Sequence, residues 1–131
     1  PGWHDYDFSP DGGWAVHTHS TFDSPPRTEL VRVPGHKTER VFASNDRLKE
    51  AVAKLARTPV EFFRADAGDG TKLDGWLMKP PDFDPAKKYP LFFHVYGEPW
   101  GQEVTDRWGG RQHLWHLMLA QQGYVVACVD N

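Results

Sequence analysis

The sequence predicts a mixed fold in which an all-β first third is followed by an α/β part. Short strand patterns in the first third are separated by turn residues, of which the sequence Ser-Pro-Asp-Gly-Gly at residues 9–13 is the clearest. Further along, two apolar runs at residues 91–95 and 124–129 flank a segment with helical spacing. An order of strand, helix and strand is typical of a parallel βαβ unit.

Composition and charge exclude several classes of protein. Hydrophobic residues make up 39% of the 131 residues and charged residues 25%, which is ordinary for a globular protein. The net charge of −3 predicts neither a nucleic-acid partner nor an anionic membrane surface. No membrane-spanning segment is expected, because the longest charge-free stretch is interrupted by Gln, His and Gly. The chain begins at Pro1 without Met or a leader, so we expect a piece of a longer protein.

Strand predictions in the first third follow from its turn chemistry. The turn at residues 9–13 should join strands at 6–8 and 14–19, since Pro presets φ and Gly supplies positive φ. A second hairpin is expected to pass through residues 23–26 to a strand at 28–33. A single sheet of this kind cannot bury both of its faces, so uncovered edges and apolar patches should favour self-association.

The next segments open the α/β part. A helix is expected from residue 45 or 46 until Pro59, with Leu48, Val52 and Leu55 forming a narrow apolar stripe. We place a domain boundary near Ser44, which gives domains 1–44 and 45–131. Strands at 60–66 and 71–79 should then form a hairpin across an Asp-Gly turn.

The βαβ unit completes the prediction. The strand at 91–95 is expected to be buried on both faces and to pair in parallel with the strand at 124–129 through a right-handed crossover. The intervening helix should be most regular over 112–122 and end at Gly123. Ligands of open α/β sheets bind beyond the carboxyl ends of the strands, here residues 96–100 with Asp130 and Asn131.

These segments resemble a known family. Residues 83–99 (Phe-Asp-Pro-Ala-Lys-Lys-Tyr-Pro-Leu-Phe-Phe-His-Val-Tyr-Gly-Glu-Pro), with 69–77 before them and 129–131 after them, are similar to the prolyl oligopeptidase family of serine peptidases, dipeptidyl peptidase IV branch. The resemblance implies the end of a β-propeller followed by the opening part of an α/β-hydrolase domain, as in a junction fragment. Relatives usually carry a second glycine at the position of Glu98.

The same resemblance assigns roles near the carboxyl end of the 91–95 strand. By resemblance, Tyr96 donates its hydroxyl to the oxyanion of an acyl-transfer intermediate. Trp100 is the candidate substrate-binding residue, because it lies beside the presumed site. The serines of this chain are outside any G-x-S-x-G turn, and the resemblance implies that nucleophile, acid and base all lie beyond Asn131.

Other chemically capable residues have plainer interpretations. His113 and His116, with Glu103 and Asp106 upstream, could bind a metal, but we expect solvent-facing or hydrogen-bonded histidines and no metal or cofactor. The remaining candidates are expected to be structural: His17 and His19 on an exposed strand face, His94 as a hydrogen-bonded core histidine, and Cys128 as a buried, unreactive thiol.

The sequence therefore predicts a fragment of a serine exopeptidase that releases N-terminal dipeptides from peptide substrates through an acyl-enzyme. The isolated chain should be inactive. Two alternatives stay open: a fragment of an acylaminoacyl peptidase or esterase with the same fold, and a non-catalytic module that binds peptides. The residues that follow Asn131 in the parent would separate these alternatives.

Overall fold

The computed structural model describes residues 1–98 and 100–130, which form two compact units. The first unit comprises Pro1–Leu55 with Asp106–Trp108, and the second comprises Ala56–Thr105 with the residues from Gly109 onward. Within the described residues, neither helix has the length and apolar character that a bilayer crossing demands.

The first unit is a four-stranded antiparallel sheet in which each strand pairs with the next one along the chain. The first hairpin is confirmed: the Ser9 N–H donates to the Trp14 carbonyl at 2.9 Å, and the Asp11 carboxylate accepts the Gly13 N–H at 3.1 Å. The strands are β1 (Trp3–Phe8), β2 (Trp14–Thr21), β3 (Ser24–Arg32) and β4 (Lys37–Ala43), and helix α1 (Asp46–Ala53) follows them.

Two features of this sheet differ from the prediction. Thr21 pairs with Ser24, so the second hairpin turns at Phe22 and Asp23, and both following prolines lie in β3 rather than in the turn. The pairing is irregular between His19 and Thr21, and prolines are tolerated where a ladder is disrupted. Strand β4 was not predicted, because every one of its residues is exposed and its sequence shows no apolar alternation.

Helix α1 is shorter than predicted and ends at Ala53 rather than near Pro59. Only Val52 of the predicted apolar stripe is buried, whereas Leu48 and Leu55 are each 37% exposed. By its contacts α1 groups with the first unit, so the units divide after Leu55. The assignment of residues 1–44 and 45–131 to two family domains stays a prediction.

The second unit is a mixed sheet in the order β5-β6-β8-β7. The predicted parallel pair is confirmed, with Leu91 opposite Val125 and His94 opposite Cys128, while the handedness of the crossover stays a prediction. The helix begins earlier than expected and, as predicted, is followed by Gly123 with φ at 92°. The elements are β5 (Glu61–Asp66), β6 (Lys72–Met78), β7 (Leu91–His94), α2 (Gly110–Gln121) and β8 (Val125–Val129).

Strand β7 is not buried on both faces, contrary to the prediction. It lies at the edge of the sheet and ends at His94, and the side chains of Leu91, Phe93 and Val95 are 60%, 48% and 57% exposed. The core of this unit lies instead between α2 and the two central strands, where Trp76, Leu117, and the β8 side chains of residues 126–128 are buried.

An aromatic ring covers a strand glycine in the same sheet. Phe63 of β5 pairs with Gly75 of β6, and a Cβ atom on Gly75 would lie 2.5 Å from Phe63 Cζ. Since such a distance is far below van der Waals contact, only glycine leaves room for the Phe63 ring at this position.

Candidate functional site

The candidate site is the loop that follows β7. Tyr96 lies two residues beyond the end of this edge strand and is 51% exposed, so its side chain is only partly covered. The ring lies against Gly101: a Cβ atom added to Gly101 would overlap Tyr96 Cδ1 and Cε1 and approach Cγ to 2.9 Å. The backbone at Gly101 therefore lies close against the Cδ1–Cε1 edge of the tyrosine ring.

A tight turn brings Gly101 back to Tyr96. Gly97 has φ at 80°, a left-handed conformation that favours glycine, and the Gly101 N–H donates to the Glu98 carbonyl at 3.1 Å. Glu98, at which the resemblance leads us to expect a glycine, is thus accommodated with its carbonyl as the acceptor of the turn. Pro99 of the Val-Tyr-Gly-Glu-Pro motif lies outside the described residues.

Trp100 is 79% exposed. Its substrate-binding role stays a prediction.

The far end of the loop is anchored to the central strands. Asp130, directly after β8, accepts the backbone N–H groups of Glu103 at 2.8 Å and of Val104 at 3.1 Å. The Trp76 indole N–H donates to the Glu103 carbonyl at 3.3 Å, and Val104 is buried. Asp130 therefore lies at the predicted edge of the sheet and there fastens the loop, while Asn131 falls outside the described residues.

His94 lies at the carboxyl end of β7 and is partly buried. Its Nε2 atom lies 3.4 Å from Glu103 Oε2 and 3.1 Å from Gln112 Nε2, so the predicted hydrogen bonding is confirmed. The predicted core position is wrong, because β7 is an edge strand. These contacts connect the strand, the anchored loop and the start of α2. Glu103 thus uses its backbone to bind Asp130 and its carboxylate to bind His94.

His113 and His116 were predicted to face solvent or to be hydrogen-bonded, and the first alternative is wrong: they are 2% and 3% exposed on the inner side of α2. Burial lowers the pKa of each to about 4, with Arg57 adding to the effect on His113 and His94 adding to that on His116. Both imidazoles are therefore neutral at pH 7.

Glu103 and Asp106, which precede these histidines in the sequence, have other partners. Asp106 belongs to the first unit, where its carboxylate accepts the Phe22 N–H at 2.7 Å. Across residues 1–98 and 100–130, no group of three or more His, Cys, Asp or Glu side chains is arranged to hold a metal ion.

The first unit contains a polar cluster that sequence reasoning missed. His17 was expected on an exposed face but is 4% exposed, with Nδ1 at 3.3 Å from Glu29 Oε1 and Nε2 at 2.9 Å from His4 Nδ1. Glu29 also accepts hydrogen bonds from Arg27 and Thr38. The only signal in the sequence was cross-strand register, which brings His17 opposite Glu29 once the second hairpin is known to turn at residues 22 and 23.

Cys128 is fully buried in β8, and burial raises the pKa of its thiol to about 12. The side chain is therefore a protonated thiol in the core, as the sequence predicted.

Comparison with known proteins identifies relatives along the whole chain. None of the protein-family models matches it. The chain is 33% identical over 133 residues to the protein named "Probable dipeptidyl-aminopeptidase B" of Emericella nidulans, across 100% of this chain and 14% of that protein. It is 39% identical over 98 residues to dipeptidyl peptidase 8 of Mus musculus, across 75% of this chain and 11% of that protein.

A solved structure of a dipeptidyl peptidase is also similar to this chain. The crystal structure of Porphyromonas gingivalis dipeptidyl peptidase 4 superposes with a TM-score of 0.90 and 34% identity, across 98% of this chain and 18% of that one. The chain thus spans less than a fifth of the length of the relatives that it matches.

Proposed function

We propose that this chain, which belongs to the dipeptidyl peptidase family and matches one segment of its members, is part of a longer serine-type dipeptidyl peptidase. We call that longer polypeptide the full-length protein. In this proposal the antiparallel first unit is the end of a β-propeller, and the second unit is the opening part of an α/β-hydrolase domain. The meander of four strands and the parallel β7–β8 pair support this division.

The proposed reaction removes a dipeptide from the free N-terminus of a peptide through an acyl-enzyme. A serine attacks the scissile carbonyl carbon, and its proton passes to a histidine base that then protonates the leaving amine; water releases the dipeptide in the second step. No serine of this chain lies in a G-x-S-x-G turn, so in the proposal the full-length protein supplies the triad from outside it.

The observation that supports a catalytic contribution from this segment is the placement of Tyr96. It is a half-exposed phenol at the carboxyl end of a strand, with its ring seated on Gly101. A hydroxyl held there can donate to the carbonyl oxygen as negative charge develops on it, and such a bond is stronger in the transition state than in the ground state. We therefore assign Tyr96 the role of oxyanion donor.

Replacing Tyr96 by Phe in the full-length protein tests the assignment. The change removes only the donor, so kcat should fall by roughly 10²- to 10³-fold, about 3–4 kcal/mol, while KM changes little. Steady-state kinetics on an aminoacyl-prolyl chromogenic substrate with a free N-terminus give both constants.

The matched control is Tyr6→Phe, which deletes a phenolic hydroxyl of β1 that hydrogen-bonds to His36 in the first unit. It should leave kcat unchanged. An unchanged kcat for Tyr96→Phe, or a loss confined to KM, would show that Tyr96 is structural. Turnover of N-acylated substrates in preference to free ones would favour the acylaminoacyl peptidase alternative instead.

A further inference from the structure

Gly101 differs from the other glycines of its loop in what it does for the fold. Gly97 has a positive φ, so its lack of a side chain is explained by backbone conformation. Gly101 is not among the residues with positive φ, so its backbone would accept alanine. What excludes a side chain there is the Tyr96 ring, which occupies the volume of the missing Cβ.

The backbone at Gly101 is held from both sides. On one side its N–H is bonded to the Glu98 carbonyl, and on the other the chain is fastened two residues later by the Asp130 carboxylate and the Trp76 indole. A methyl group at residue 101 therefore meets a loop that resists displacement. The Tyr96 side chain is 51% exposed and so is less confined than this backbone, and we therefore expect the ring to be the group that moves.

We propose that Gly101 is a positioning residue that sets the direction of the Tyr96 hydroxyl by seating the ring directly on the loop backbone. The inference rests on the proposed function of Tyr96 and deepens it. Displacement of a catalytic group by about 1 Å costs on the order of 10²-fold in rate, so seating of the ring is expected to matter for catalysis more than for folding.

The experiment is a double-mutant cycle in the full-length protein with Gly101→Ala, Tyr96→Phe and the combined variant. Gly101→Ala should lower kcat by roughly 10- to 100-fold with a smaller change in KM. In the Tyr96→Phe background the same alanine should cost less than about threefold, because no hydroxyl remains to be misplaced.

Gly75→Ala is the matched control, since its Cβ would collide with the Phe63 ring of the same sheet in a comparable way. It should lower thermal stability without lowering the kcat of the folded enzyme. This control separates a general effect of crowding an aromatic ring from an effect on Tyr96.

The outcomes are distinguishable. An unchanged kcat for Tyr96→Phe overturns the proposed function and this inference with it. A large loss for Tyr96→Phe with full activity for Gly101→Ala overturns the inference alone, as does an equal loss from Gly101→Ala in both backgrounds. If Gly101→Ala does not fold, the pair Tyr96→Ala and Tyr96→Ala/Gly101→Ala decides: equal melting temperatures support the ring contact, and a further drop refutes it.

Discussion

The two units bury histidines in opposite ways. In the first sheet His17 has a carboxylate partner, because Glu29 lies 3.3 Å from its ring. Burial lowers the pKa of His17, while the hydrogen bond to Glu29 opposes that effect. In the second unit His113 and His116 lie on the buried face of α2 beside cationic or imidazole neighbours, and burial lowers the pKa of each to about 4.

The difference shows what each buried histidine contributes. His17 is hydrogen-bonded within a polar network, although burial still lowers its pKa overall. His116 packs as an aromatic ring, with its centroid 5.3 Å from those of Trp76 and His94. The position of a histidine in an amphipathic pattern therefore does not by itself predict its protonation state or its packing. The neighbours supplied by the tertiary fold decide how strongly burial lowers its pKa.

The two units also differ in what they contribute to the proposed reaction, and this difference gives the prediction with the largest expected effect. The first unit offers no group to the proposed reaction and the second offers an accessory donor, so the isolated 131-residue chain should show no turnover of aminoacyl-prolyl substrates. Chromogenic assays with the full-length protein as positive control measure this. A burst of chromophore from highly purified chain would contradict it.

The isolated chain should also self-associate. Strand β7 is an open edge with Leu91 and Phe93 largely exposed, and Phe62 of β5 is 48% exposed at the other edge of the same sheet. Sedimentation velocity over a range of concentrations measures the association. A sharply monomeric chain with cooperative unfolding would count against this expectation.

Local signals predicted much of this fold, and the exceptions have physical causes. Turn residues located the first hairpin, and apolar runs located the parallel pair, because both patterns depend on neighbours in sequence. Strand β4 escaped prediction because a fully exposed strand has no alternation to detect. The exposure of β7 depends on what covers the sheet edge, which no pattern within residues 91–95 can encode.

The candidate site was predicted in the same uneven way. Tyr96 was found through a motif, since the motif is contiguous. Gly101 and the anchoring role of Asp130 were missed because each depends on a contact with a residue distant in sequence or on a turn whose shape the sequence did not specify.

The contrast between histidines predicts a pH dependence of stability, the next largest effect. The unfolded state binds protons at His113 and His116 below pH 6.5, and the folded state does so only near pH 4, so stability is complete above pH 6.5 and falls as the pH drops toward 4. The loss is up to about 3 kcal/mol for each histidine.

Urea unfolding of the full-length protein between pH 8 and pH 4 measures this slope. His116→Phe should flatten it, because a ring that cannot be protonated replaces one that must stay neutral. His17→Gln in the first unit is the control and should change the slope less, since burial lowers the pKa of His17 but the hydrogen bond to Glu29 opposes part of that effect. Identical slopes for wild type and His116→Phe would refute the explanation.

The smallest predicted effect concerns the hydrogen bonds around Glu29 in the first unit. Burial raises the pKa of Glu29, but hydrogen bonds from Arg27, His17 and Thr38 outweigh it and lower the pKa, so Glu29 is a carboxylate in the folded state. Glu29→Gln keeps the shape and removes the charge, which leaves a donor facing other donors. The free energy of unfolding should fall by about 1–3 kcal/mol.

Glu39→Gln is the matched control for this change. Glu39 lies in β4 of the same sheet and pairs with Arg32 and Lys37, whose side chains are 52% and 72% exposed, and ion pairs with exposed partners contribute little to stability. Hydrogen exchange of the β2 and β3 amides in the full-length protein reports local stability of this sheet. Protection should drop for Glu29→Gln and stay near wild type for Glu39→Gln; equal protection in the two variants would mean that the partners of Glu29 do not stabilise the sheet and that His17, like His116, is simply a buried ring.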